Sequence, residues 1–253
     1  GLGDVYKRQI NLNTDNIENE HLCCIIRTKT KHEGVETKRR WLKKELTHHH
    51  IFRKIDDKVT AFIEYDEVEN ALVPVVADNF YYIYCLWVTG DVKGKGYGKE
   101  LLEYAINDAK ANHKSGICML GATKQKAWLS SEAFLLKNGF KVTPDTAAGY
   151  HLVYLSFDGT IPTFSSDALK ESVSTNDLTI YYSDQCPFIL KAINDAVKVT
   201  KERNIPLNLI HITSRTEALK IPAPFNNYAL FYKGKFITVN LLQEALLNKL
   251  LDK

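Results

Sequence analysis

Lys93-Gly94-Lys95-Gly96-Tyr97-Gly98 is the stretch on which the reading of this chain turns, because it follows an apolar run, Tyr81 to Val88, and opens a pattern of helical period from Lys99 to Lys110. An apolar run ending at such a turn predicts a buried strand, and Leu101, Leu102, Ala105, Ile106 and Ala109 predict a helix with one face on a sheet. Strand, glycine turn and helix start together make an anion site. Glycines at 94, 96 and 98 let the backbone approach a ligand without Cβ atoms in the way, and the N–H groups of the first helical turn point at it with the macrodipole behind them. The ligand expected there carries phosphates.

Spacing narrows the choice. A Walker loop needs glycine five residues before Gly-Lys-Ser/Thr, whereas Lys93 stands five before Gly98 and Glu100 follows Lys99; a dinucleotide fingerprint starting at Gly94 and Gly96 needs glycine at 99. The turn instead resembles the Arg/Gln-x-x-Gly-x-Gly/Ala loop of the GNAT superfamily of N-acetyltransferases, read as Lys93, Gly96 and Gly98 with lysine in the first place. The resemblance extends to Cys85-Leu86-Trp87-Val88 before the loop, Leu101-Leu102 and Ala105-Ile106 after it, a strand from Ile117 to Leu120, a helix from about Trp128, and Asn138-Gly139-Phe140 closing that helix. It covers roughly residues 11 to 157.

The resemblance implies an α/β protein with the GNAT mixed-sheet acyltransferase fold, acetyl-CoA as co-substrate, and a primary amine of a small molecule or peptide as acceptor. In such proteins the central strand splays from its neighbour just ahead of the loop. That implicates Leu86, Trp87 and Val88 in holding the pantetheine arm, and the backbone of Lys93, Gly94, Lys95, Gly96, Tyr97, Gly98 and Lys99 in holding the pyrophosphate, with the three lysine ammoniums nearby. The chain departs from its relatives at the acid tyrosine four residues before Gly139, which is Leu135 here, and at the asparagine that often precedes it, which is Trp128. The positions that carry a Glu or His base in some relatives are Tyr82 and Tyr84, the candidate catalytic residues. A tyrosine titrates near 10, so it can donate a proton to a thiolate but is a poor base at neutral pH. The other reading of these rings is a wall for an aromatic acceptor; proton removal by water, Asp78 or His151 stays open.

At 253 residues, with 45% apolar side chains, the chain is long enough for two domains of ordinary size. A net charge of +3, with lysines spread among acids, lacks the basic clustering that binds a phosphate backbone, so no nucleic-acid partner is expected. No apolar run approaches the length of a membrane span. Five cysteines without a repeating framework argue for a reducing compartment, and cytoplasm is the expectation. His48-His49-His50 looks metal-like, but consecutive residues on an extended segment point to alternate sides and no Cys or carboxylate set completes a site, so no metal is expected. Cys23, Cys24, Cys85 and Cys118 read as packing residues.

Residues 1–9 resemble a translated sequencing-adaptor remnant and are set aside as non-native. The domain expected over 10–157 begins with the apolar Leu22 to Arg27, a helix from Thr37 to Leu46, and a hairpin of Ile51 to Ile55 with Thr60 to Tyr65 about Asp56-Asp57. It ends with a strand at about 140–143 and a last strand from Tyr150 to Phe157. Residues 158–177, rich in Ser, Thr, Gly and Pro, read as a linker. Over 178–253 the pattern is strand Leu178 to Ser183, helix Ile189 to Asn204, strand Leu207 to Ile212, a brief helix near Thr216 to Lys220, strands Tyr228 to Tyr232 and Lys235 to Val239, and a terminal helix from about Asn240. This order resembles the thioredoxin fold. Cys186 matches its attacking cysteine, and Pro224 the proline before its third strand, with a cis bond considered there. The partner cysteine expected three residues on is Ile189, so no internal disulfide forms there, and Cys186 is left as a candidate thiol site with a monothiol function, a role in binding a thiol substrate, a substrate-shaping or interaction role, or no more than a structural relic. An acetyltransferase domain with this tail resembles the YoaP-like acetyltransferases of bacteria. The expected function is acetyl transfer to an amine, with the tail shaping acceptor choice; the alternative is a CoA-binding or thiol-sensing module with little transfer.

Overall fold

The computed structural model describes residues 9–25, 31–56 and 59–253, with no statement made of the Asp91 side chain. Most of the supposed adaptor segment, the end of Leu22 to Arg27 and Asp57 of the hairpin turn lie outside the described residues. The chain forms two compact units that interleave in sequence: 9–25, 42–71 and 75–163 in one, and Lys31–Trp41, Leu72–Pro74 and Phe164–Lys253 in the other.

In chain order the elements begin with β1 (Gln9–Asn11), α1 (Glu33–Glu45), β2 (Ile51–Ile55), β3 (Ala61–Glu67), β4 (Val75–Val76) and β5 (Phe80–Val88). They continue with α2 (Tyr97–Ala111), β6 (Gly116–Ala122), α3 (Glu132–Lys137), β7 (Lys141–Val142), β8 (Tyr150–Ser156) and β9 (Thr163–Phe164). Gln9, the last residue of the segment set aside, pairs with Ile55, is 8% exposed, and accepts a 2.7 Å hydrogen bond from Arg53 Nε. The first unit holds a seven-stranded sheet in the order β1-β2-β3-β5-β6-β8-β7. Every pairing in it is antiparallel except β5 with β6, which the helix α2 crossover joins in parallel.

Alternation along the strands sends Ile63, Tyr65, Tyr81, Ile83, Ile117, Met119 and Val153 to the face where Leu101, Leu102, Ala105 and Ala109 of α2 pack, and these form one buried cluster. A fully buried leucine contributes about 1.5–3 kcal/mol, so this seam anchors the helix whose start makes the glycine turn. Tyr65 Oη donates to Asp108 of α2 at 2.7 Å. Helix α3 starts at Glu132, four residues later than Trp128. Ser131 caps it through Phe134 N, and before it the Gln125 amide bonds the carbonyls of Lys126, Leu129 and Ser130, holding that segment out of a helix.

The second unit contains β10 (Leu178–Tyr182), α4 (Ile189–Arg203), β11 (Leu207–His211), α5 (Arg215–Ala218), β12 (Tyr228–Tyr232), β13 (Lys235–Thr238) and α6 (Glu244–Leu251). Its sheet runs β11-β10-β12-β13, with β10 and β11 parallel and the other pairs antiparallel. Leu178, Ile180, Tyr228 and Leu230 of the sheet share a buried cluster with Ala192 and Val199 of α4 and Leu247 and Leu251 of α6. The stretch expected as linker contains β9 and a short 3-10 turn at Asp167–Leu169, and Ser172 bridges to Lys235. No cis peptide bond is present among the described residues, so Pro224 is trans.

Candidate active site

Strand β5 parts from β6 before either strand ends. The parallel rungs run from Phe80↔Gly116 to Ile83↔Met119, after which β5 continues beside β3 to Val88↔Ala61 and β6 continues beside β8 to Ala122↔Tyr150. The parting coincides with a bulge: Glu64 pairs with Cys85 and Tyr65 with Ile83, so Tyr84 is the extra residue. Leu86, Trp87 and Val88 therefore lie on an edge that β6 does not fill.

A cleft of about 650 Å³ lies along this free edge of β5. Leu86, Trp87 and Val88 form one wall, the turn Lys93, Gly94, Gly96, Tyr97, Gly98 and Lys99 its end, and the segment from Gln125 to Phe134 the other side. Gly94 and Gly96 sit at φ 81° and 88°, in the left-handed region that glycine adopts without strain. Gly96 is the N-cap of α2 and, having no side chain, gives that end no side-chain cap. The amides of Tyr97, Gly98 and Lys99 are then first-turn donors without an intrahelical acceptor, which is the arrangement that takes an anion. A Cβ on Gly98 would make ordinary contact, 3.5 Å from Val88 Cγ2 and 3.9 Å from Phe134 Cζ, so a larger or charged side chain at this position would stand against the cleft wall. Trp87 Nε1 is buried without a hydrogen-bond partner among the described residues, and Ser130 Oγ donates to the Leu86 carbonyl at 3.4 Å. Bare amides at one end and an apolar wall with an unfilled strand edge along the side fit an acyl-CoA.

The two tyrosines do not join this wall. Tyr82 is fully buried, its hydroxyl is bonded to the Leu120 backbone, and burial raises it well above its ordinary range. Tyr84 is 5% exposed and packs edge-on against Tyr82 and stacked on His50, with centroids 5.3 and 5.6 Å away. His50 belongs to a buried cluster that the sequence did not bring together. Its Nδ1 lies 3.0 Å from Asp66 Oδ2 and its Nε2 3.1 Å from Glu64 Oε1, while His48 and His49 are exposed. Burial acts to lower the imidazole, but the bonds to Asp66 and Glu64 outweigh it and push it up to about 9. Burial raises the nearby Glu45 carboxyl. Ligand atoms of Glu45, His50 and Asp66 lie within 4.8 Å of one another, so this is where a metal would find donors in the described residues.

The sequence also missed the far side of the cleft, Gln125 to Ser131, which it assigned partly to a helix; the pair Ser130-Ser131 ahead of Glu132 was the cap signal available. Cys186 is half-buried after β10, and the neighbouring Asp184 Oδ2 meets His211 Nε2 at 3.1 Å.

Residues 15–140 match the family model described as acetyltransferase (GNAT) family, and residues 206–249 the one described as YoaP-like. The Bacillus subtilis (strain 168) protein described as uncharacterized N-acetyltransferase YoaP is 35% identical over 245 residues, covering 96% of this chain and 98% of its own. The chain belongs to the YoaP-like GNAT N-acetyltransferases. Membership makes it an N-acetyltransferase with acetyl-CoA as co-substrate. Among solved structures, a GNAT-family acetyltransferase of Staphylococcus aureus Mu50 is 16% identical with TM-score 0.43, over 58% of this chain and 97% of its own. The PaiA N-acetyltransferase of Thermoplasma acidophilum, in complex with coenzyme A, is 19% identical with TM-score 0.41, over 59% and 99%. Among the described residues no helix of this YoaP-like enzyme is long and apolar enough to cross a membrane.

Proposed function

We propose that the cleft along the free edge of β5 is where this acetyltransferase holds its donor and that the acceptor is a primary amine of a small molecule or peptide. The observation that carries the reading is the uncapped start of α2, with left-handed Gly94 and Gly96, at the end of a gap that opens where β5 leaves β6. In this reading the amides from Lys93 to Lys99 hold the diphosphate, the ammoniums of Lys93, Lys95 and Lys99 add mobile positive charge, and the edge of Leu86, Trp87 and Val88 orients the arm. Bound acetyl-CoA supplies the activated acetyl group. Tyr84, the bulged residue, and Tyr82, packed edge-on against it, are read here as aromatic backing for the acceptor side of the site.

The second unit is proposed as a thioredoxin-like domain that shapes acceptor choice in a cytoplasmic enzyme. Its strand order β11-β10-β12-β13 and the position of Cys186 after β10 support that reading. A panel of amines with free-thiol detection tests the function: stoichiometric CoA release with at least one amine is the expected result. The second reading, a CoA-binding or thiol-sensing module with little transfer, is favoured by Leu135, buried at 1% exposure where relatives place an acid tyrosine. Acetyl-CoA binding without turnover on the whole panel, together with Cys186 alkylation at neutral pH, would establish it.

A further inference from the structure

Gly121 is the residue of β6 that lies opposite His151 of β8, two positions beyond the last rung between β6 and β5. A Cβ on Gly121 would stand 2.9 Å from both Cδ2 and Nε2 of the imidazole. The bare glycine therefore lets the His151 ring lie over β6, toward the part of the sheet that has opened. The ring is held there from the other side: Nε2 is 2.6 Å from Glu132 Oε2, in the first turn of α3. Glu132 in turn is fixed beside the cleft. It follows the cleft residue Ser131, and its amide donates to the side chain of Gln125, another cleft residue, at 3.3 Å.

An ionised carboxylate only accepts hydrogen bonds, so the Glu132 contact places the ring proton on Nε2 and leaves Nδ1 with its lone pair. Nδ1 makes no hydrogen bond to the described residues, and Glu132 is the one ion-pair partner of His151 among them. A carboxylate that fixes the tautomer of an imidazole is how a histidine is prepared to take and return one proton. The pair stands on the same side of the sheet as α2 and α3, where Val153 joins the buried cluster, and it occupies the neighbourhood left without an acid by Leu135.

We propose that His151, oriented by Glu132, is the proton-transfer residue of the acetyl transfer; this rests on the cleft being the donor site. As the amine nitrogen bonds to the acetyl carbonyl carbon and the carbon–sulfur bond breaks, its electron pair stays on sulfur. One N–H proton passes to His151 Nδ1, and the resulting imidazolium, its charge balanced by Glu132, returns that proton to the thiolate. The dyad ends as it began, the amide is neutral, and CoA leaves as its thiol.

The test needs no knowledge of the acceptor. In the full chain labelled with 15N-histidine, the His151 resonances, assigned by their loss in His151→Gln, are titrated with pH in the presence of CoA and of desulfo-CoA, which lacks only the sulfur. Calorimetry confirms occupancy in each case. The expected result is that CoA moves the midpoint of His151 relative to desulfo-CoA and that Glu132→Gln abolishes the difference. With an amine from the acceptor panel, His151→Gln lowers kcat by about 100-fold at unchanged acetyl-CoA affinity. Superimposable titrations with both ligands bound would overturn the assignment. Failure of either ligand to bind would instead remove the cleft reading, and the dyad with it.

Discussion

Ile83 pairs with Met119, and that rung is the last between β5 and β6. Beyond it each strand keeps its outer partner, so the gap is held open by two intact hairpin-like edges rather than by a loose end. The glycine turn sits where the gap ends. Its glycines at 96 and 98 sit in different backbone conformations, which makes them separable by substitution.

Gly96 has φ 88°, and a Cβ there would meet nothing closer than Glu100 Oε1 at 3.8 Å. Gly96→Ala is expected to lose about 1–2 kcal/mol through left-handed backbone strain alone. Gly98 lies outside that region, and its Cβ would make ordinary contact with Val88, so Gly98→Ala should shift stability by less than about 0.5 kcal/mol. Urea unfolding of the two variants measures the contrast; equal losses would contradict it.

Gly34, in the part of α1 that groups with the second unit, lets the helix backbone meet the Cys186-Pro187 turn. A Cβ on Gly34 would stand 1.9 Å from the Pro187 carbonyl oxygen, a backbone atom that cannot swing away. Gly34→Ala is expected to destabilise by about 1–3 kcal/mol, read as a lower urea midpoint.

The buried His50 predicts a pH dependence of stability. Its folded value, about 9, lies above the ordinary 6.5, so protonation favours the folded state. The contribution is complete below about pH 6.5 and is lost as pH rises through about 9, with a ceiling of about 3 kcal/mol set by the size of the shift. Urea midpoints of the native chain should fall over that window more than those of His50→Gln. Parallel pH profiles for the two would show that His50 is neutral in the fold.

Local signals made the strand, turn and helix legible: Tyr81 to Val88 is one apolar run, and a cluster of glycines ahead of a helical stripe has few structural meanings. Trp128 misled because its neighbours look helical, whereas the Gln125 side chain occupies the carbonyls a helix would need. The His50 cluster was hidden by reading three consecutive histidines as a set. Its partners, Glu64 and Asp66, are two residues apart on a buried strand, and charges at that spacing inside an apolar run were the available sign. Nothing local could reveal that 31–41 and 72–74 group with the C-terminal residues. That grouping depends on distant contacts such as Arg215 Nη1 to the Val73 carbonyl and Ser165 N to the Pro74 carbonyl.

The most direct test of the account is a calorimetric titration of acetyl-CoA into the native chain and into Gly98→Asp. An aspartate at that position adds bulk beside Val88 and a negative charge among the amides proposed to hold the diphosphate. Saturable binding to the native chain is expected, with a loss of at least about 100-fold in the variant, equivalent to about 2.7 kcal/mol, and the thermal midpoint nearly unmoved. Equal affinity in the two proteins would contradict it.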